Sequence, residues 1–184
     1  MNNTAQNIPR MTAEEYFKYT AETTQPIELL NGEVVDQAAP SIRHQRIALN
    51  LLTRLKEHVR LNHGKCEPFA APTDVKLDDF NVVQPDVFIT CKPEQLTEQY
   101  LDGAPDFVCE IVSSNRIDDF DRKLLLYRES GVREYWIIDP QNRKTLVYFF
   151  EQGSFPDIYT FETPIPVRIW EGKLSITVAE LEIL

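Results

Sequence analysis

Asp86, Glu110 and Lys123 are residue types that can do chemistry together if the strands and helix that carry them pack side by side. Glu110 sits in Phe107-Val-Cys-Glu-Ile-Val112, a run apolar on both faces, so its carboxylate should point into a dry place. Burying an unpaired carboxylate costs several kcal/mol, and a cation or a proton must answer it. The plain alternatives are a half-exposed glutamate near a strand end, or a buried salt bridge. Asp86 follows Pro85 and opens Asp-Val-Phe-Ile. If strands 86–90 and 106–112 pair antiparallel, the start of one lies beside the end of the other, and Asp86 meets Glu110. Two carboxylates so placed repel, and a hard divalent cation such as Mg²⁺ or Mn²⁺ resolves the repulsion with oxygen ligands. Turn chemistry after a proline is the alternative for Asp86 alone. Lys123 belongs to a helical pattern in which Phe120, Lys123, Leu124 and Tyr127 share a face. It either serves a buried anion or snorkels outward, with Asp119 as an ordinary i−4 partner. Together the three outline metal-assisted hydrolysis: two carboxylates hold a metal that activates water, and the ammonium orients that water or offsets developing charge.

The elements that must position these residues are legible from pattern. Thr12-Ala-Glu-Glu15 is a capping box opening a short helix to about Tyr19. Asn31-Gly32 between Ile27–Leu30 and Glu33–Val35 predicts a hairpin. Ala48, Leu51, Leu52, Leu55 and Val59 recur at helical spacing between Ser41 and Asn62, with Gly64 placed to end the helix. Strands are expected at 84–90, 106–112, 133–139 and 144–150, with a helix over 118–130 stopped by Gly131. Short strands and a helical turn capped by Thr177 and Glu180 complete the chain. The expected class is α+β: a mixed sheet of six to eight strands with helices on its faces, in one domain spanning 1–184.

Composition excludes more than it selects. Net charge is −10, so a protein-wide basic field for nucleic acid is absent. The deficit is concentrated: residues 65–120, which hold both proposed metal ligands, carry four basic and twelve acidic side chains. Helix 41–62 instead holds Arg43, Arg46, Arg54, Lys56 and Arg60 against Glu57, either a phosphate-contacting face or a solvated one that happens to be basic. Hydrophobic runs are too short to cross a bilayer, and the N-terminus lacks a secretory apolar core, so a cytoplasmic address is expected. Asn2-Asn3-Thr4 matches a glycosylation acceptor only formally. Nucleotide-cradling glycine motifs and a Gly-x-Ser-x-Gly elbow are missing. His58 and His63 lack zinc-site spacing, and Cys66, Cys91 and Cys109 suggest neither a zinc site nor a disulfide framework.

Several blocks carry a family resemblance: Glu28-Leu-Leu-Asn-Gly-Glu33, His44 opening a helix, Gln84-Pro-Asp86 and Glu110-Ile-Val-Ser-Ser114. Further on come Asp118-Asp119, Lys123-x-x-x-Tyr127 and Gly131-Val-Arg-Glu-Tyr-Trp-Ile-Ile-Asp-Pro140. Over about residues 12–150 the chain resembles the PD-(D/E)xK nuclease superfamily, and more closely the Uma-type family of proposed endonucleases with a restriction-endonuclease-like fold. The resemblance implies Asp86 and Glu110 as ligands of Mg²⁺ or Mn²⁺, Lys123 as the catalytic lysine, and Glu28 and His44 as accessory residues. It implies a DNA substrate, for which Arg43, Arg46 and Arg54 of the basic helix 41–62 are candidate contacts by charge, and a homo-oligomer, most simply a dimer. In the superfamily's usual pattern the lysine lies two residues beyond the acidic ligand, where this chain has Val112. Activity therefore depends on Lys123 reaching the site from its helix. The rival reading is a catalytically inactive module of the same fold that binds a protein or nucleic-acid partner.

Overall fold

The computed structural model describes residues 10–22, 25–113 and 117–183, without the side chains of 117–121. Asn2-Asn3-Thr4, Ser114 and the side chains of Asp118, Asp119 and Phe120 lie outside the described residues. Helix α1 (Ala13–Thr20) begins at the expected capping box: Glu15 N–H donates to the Thr12 hydroxyl and Thr12 N–H to the Glu15 carboxylate. Strands β1 (Ile27–Leu30) and β2 (Glu33–Asp36) form the expected hairpin. Asn31 and Gly32 take φ of 53° and 79°, the two positive values such a turn needs. Helix α2 (Ile42–Leu61) starts after Ser41, whose hydroxyl accepts from His44 N–H.

Six strands follow: β3 (Glu67–Ala70), β4 (Asp74–Asp78), β5 (Asn81–Val83), β6 (Val87–Thr90), β7 (Tyr100–Asp102) and β8 (Phe107–Ile111). Helix α3 (Ile117–Ser130) leads to β9 (Glu134–Asp139), β10 (Lys144–Phe149) and β11 (Asp157–Thr160). The chain then runs through β12 (Ile165–Pro166) and β13 (Ser175–Ile176) into α4 (Val178–Leu181). Thr177 stands at the N-cap of α4 as expected, but its side chain makes no capping bond.

The main sheet has the order β11-β10-β9-β8-β6-β3, antiparallel except between β8 and β9. That parallel pair needs a crossover, and α3 supplies it. A second sheet, β2-β1-β5-β4-β7, takes the hairpin and the strands around residue 78. The strands thus form two larger sheets and the small β12–β13 pair in place of one mixed sheet. The reason is burial: β1 and β5 are buried at every position and need cover on both faces.

Alternation along β8 and β9 divides the core. Phe107, Cys109, Ile111, Trp136 and Ile138 pack with Ile47, Leu51 and Leu55 of α2. Val108, Tyr135 and Ile137 face the other way, with Tyr127 of α3 and with Leu30, Val75, Val83 and Leu101 of the second sheet. At about 25 cal/mol per Å² of buried apolar area, these two clusters are the main source of stability. Glu134 is buried beside the first: its Oε1 accepts from Trp136 Nε1 at 2.7 Å and its Oε2 from Ile169 N–H at 2.8 Å.

The cysteine expectation is corrected. Cys66 and Cys91 form a disulfide. They are 25 residues apart in sequence, but β3 and β6 pair Glu67 with Thr90, and one further step of that register sets Cys66 opposite Cys91. Spacing alone carries no sign of this, because the register follows from the whole β3–β6 pairing. Cys109 remains a free, buried thiol whose pKa is pushed up by burial, as suits a core side chain.

Candidate active site

The geometry around Glu110 starts from strand register. β6 and β8 pair antiparallel with Val87 opposite Cys109 and Phe88 opposite Val108. One more step, just before β6 begins, brings Asp86 beside Glu110. Asp86 Oδ2 accepts from the backbone N–H of Ile111 at 2.7 Å, locking the two strand ends together. The same oxygen lies 3.0 Å from His44 Nε2, brought in by the first turn of α2.

Glu110 is buried, and the third expected residue reaches it. Lys123 Nζ, from α3, donates to Glu110 Oε1 at 3.0 Å and to Glu28 Oε1 at 2.9 Å. Lys123 is 5% exposed, so of its two sequence readings the one serving buried anions holds. Its length lets the ammonium cross from helix to strand, and Val112 leaves the usual lysine position to a half-buried apolar side chain packed with the core. Glu28 comes from β1 in the second sheet, and its Oε1 also accepts from Gln84 N–H at 2.8 Å. Its other oxygen is buried with no hydrogen-bond partner among the described residues.

One residue of this cluster escaped the sequence reading. Tyr127, treated there as a packing position, donates its hydroxyl to Glu110 Oε1 at 2.7 Å. The signal was its i+4 spacing from Lys123, which aims both polar tips at one carboxylate. Asp86, Glu110, Lys123 and His44 line a cleft of about 80 Å³ with Gln84 and the loop residues Gln37 and Pro40. Of the basic residues of α2, Arg43 lines an adjoining pocket that shares His44 and Ser113 with this cleft. Arg43 pairs with Glu182 and Arg54 with Glu180, both from the C-terminal end, while Arg46 is half-buried on the same helix.

The electrostatics follow from burial and charge count. Burial pushes the Glu110 carboxyl up to about 7; Lys123 opposes that rise, and Asp86 and Glu28 add to it. Burial also opposes charging of Lys123, yet Glu110 and Glu28 hold its pKa above the ordinary value. For His44, burial works against the imidazolium, but the bonded Asp86 and the nearby Glu110 raise its pKa on balance. Burial likewise carries Glu134 up to about 7. These directions fix a pH dependence. Between the unfolded carboxyl value of about 4.5 and the folded value near 7, the native state holds protons that the unfolded state releases. Stability from Glu110 and Glu134 is present at low pH and lost as pH rises through about 7. The His44 contribution runs the same way, present below its unfolded pKa and lost as pH climbs through the raised folded one. The metal-free protein is therefore expected to melt at lower temperature at mildly alkaline pH than at mildly acidic pH. Thermal denaturation in chelator across that range checks this; a melting temperature that rises with pH would contradict it.

The donor set suits a hard cation. Among the described residues no group of three or more His, Cys, Asp and Glu side chains forms a metal cage. What the cleft offers is two carboxylates, Asp86 and Glu110; Glu28, fully buried, stands behind them against Lys123 and does not line the cleft. Mg²⁺ and Mn²⁺ fit such a half-site, because Mg²⁺ takes one or two carboxylates and fills its other positions with water and substrate oxygens.

Comparisons with known proteins converge. A family model described as Uma2, "Putative restriction endonuclease", matches residues 13–179. Two Synechocystis proteins, named only as uncharacterized proteins slr1290 and sll1609, are 25% and 26% identical over 136 residues. The first match covers 71% of this chain and 69% of the relative; the second covers 70% and 75%. A crystal structure from Anabaena variabilis, described as a putative nuclease belonging to DUF820, matches with a TM-score of 0.76 at 18% identity. It covers 94% of this chain and 97% of that one, which establishes the shared fold. No helix among the described residues is long and apolar enough to cross a membrane.

Proposed function

The chain belongs to the Uma2 family, and from that membership we propose that it is a divalent-metal-dependent endonuclease hydrolysing phosphodiester bonds of DNA. The observation that carries the reading is the meeting of Asp86 and Glu110 across the β6–β8 pair, with Lys123 Nζ 3.0 Å from Glu110. Asp86 and Glu110 would hold Mg²⁺ or Mn²⁺. Such an ion lowers the pKa of a bound water and offsets the charge that develops on the phosphate. Lys123 opposes the rise that burial imposes on the Glu110 carboxyl, and a bound cation would draw that carboxyl further toward its ionised form. Two of its three N–H groups go to Glu28 and Glu110, and the third is available to water or to a phosphate oxygen in the cleft. Glu28 sets the position of that ammonium and is itself fixed by the Gln84 backbone.

The test is cleavage of plasmid, linear duplex and single-stranded DNA in Mg²⁺ or Mn²⁺. Cleavage is expected to stop on chelation and to return on adding back the metal. Cleavage that survives chelation would refute the metal dependence. No cleavage of any DNA form, with folded protein and saturating metal, would favour the inactive-module reading.

A further inference from the structure

The two carboxylates of the cleft are held in the same way. Asp86 receives two donors on one oxygen, Oδ2: the Ile111 N–H at 2.7 Å and His44 Nε2 at 3.0 Å. Glu110 also receives two on one oxygen, Oε1: the Tyr127 hydroxyl at 2.7 Å and Lys123 Nζ at 3.0 Å. Among the described residues, no hydrogen bond falls on Asp86 Oδ1 or Glu110 Oε2. A carboxylate pinned by two donors through one oxygen loses rotation about its last bond, and its second oxygen takes a fixed direction.

His44 and Tyr127 supply this pinning from helices, while the carboxylates stand on or beside strands. We propose that they are paired positioning residues, fixing Asp86 and Glu110 so that Oδ1 and Oε2 are presented to a divalent cation. The proposal rests on the metal-dependent reading above and adds the two residues that make the half-site rigid. Both are suited to it. His44 is 8% exposed, and the Ser41 hydroxyl accepts its backbone N–H, which anchors at the helix start the backbone that carries the ring. With Nε2 donating, the imidazole aims one N–H at Asp86. Tyr127 is fully buried, its ring edge-on to Tyr135 at 5.0 Å between centroids, and its hydroxyl donates to Glu110. Hydrogen-bond partners that orient a metal ligand typically contribute about 10–100-fold in metal affinity.

The experiment is calorimetric titration of the full chain with Mn²⁺ for the native sequence, Tyr127→Phe, His44→Ala, His44→Gln and Asp86→Asn. Tyr127→Phe removes one hydroxyl and keeps the ring, so it tests the role without emptying the core. Tyr127→Phe and His44→Ala are each expected to weaken Mn²⁺ binding by roughly 10-fold or more. His44→Gln, whose amide can donate from near the Nε2 position, should recover most of that loss. In DNA cleavage, the Mn²⁺ concentration for half-maximal rate should rise in Tyr127→Phe, with far less change in kcat at saturating metal. A purely structural role would lower the melting temperature without moving these metal-specific readouts. If Tyr127→Phe and His44→Ala bind Mn²⁺ as the native chain does while Asp86→Asn loses it, the positioning roles are refuted and the metal reading stands. If the native chain binds no Mn²⁺, or Asp86→Asn binds it equally, both fall.

Discussion

Lys123→Ala is expected to destabilise the protein by about 3–5 kcal/mol, lowering the melting temperature by roughly 10 °C in a chain of this size. The loss comes from what remains rather than from what is removed. Glu28 and Glu110 would be left in a dry interior facing each other and Asp86, with no cation between them. The same contacts predict partial rescue: adding Glu28→Gln to Lys123→Ala removes one stranded charge and should restore part of the loss. Chemical denaturation of the single and double variants measures the coupling. A Lys123→Ala penalty below about 1 kcal/mol, the range of an exposed pair, would mean that water reaches the cluster.

Asp86→Asn and Glu110→Gln are expected to cut metal-dependent DNA cleavage on the order of 10³-fold each, equivalent to roughly 4 kcal/mol of barrier. Asn at position 86 keeps a carbonyl oxygen that can accept from Ile111 N–H, so the strand ends stay joined while the charge is lost. Gln at 110 likewise keeps an acceptor for Tyr127 and Lys123. Both variants should therefore fold, and their loss should appear in metal affinity and cleavage rather than in far-UV circular dichroism. Near-native cleavage by either variant would remove its residue from the proposed ligand set.

The sequence made the strand-borne part of the site legible and the layer-borne part much less so. A carboxylate in a strand apolar on both faces and a Pro-Asp strand start are local patterns, and the antiparallel pairing of β6 with β8 brought them together as expected, although β7 intervenes in sequence and joins the second sheet. Lys123 was legible through helical spacing, although only the three-dimensional contacts decided between its two readings. Glu28 entered through resemblance alone, because its partners are Gln84, just after β5, and Lys123 of α3, separated from it by tens of residues. Tyr127 was hidden by its own apolar ring, which satisfied the packing pattern and drew attention from the hydroxyl. The Cys66–Cys91 pair was missed for a related reason: cross-strand neighbours depend on registers that no short window of sequence contains. The basic face of α2 was visible in sequence, but its C-terminal acidic partners lie more than 120 residues away.

The register between β6 and β8 has one more consequence. Were β8 to slip by a single residue during assembly, every side chain on it would change faces. Glu110 would then turn toward Ile47, Leu51 and Leu55, an apolar surface with no ammonium to receive it, and Lys123 would be left facing a hydrocarbon side chain. Misaligned chains would carry this penalty at once, while the aligned chain avoids it only after β1, β8 and α3 have all docked. The charged cluster can thus act as a proofreading device for the sheet: the residues proposed to cut DNA also reject the wrong strand alignment.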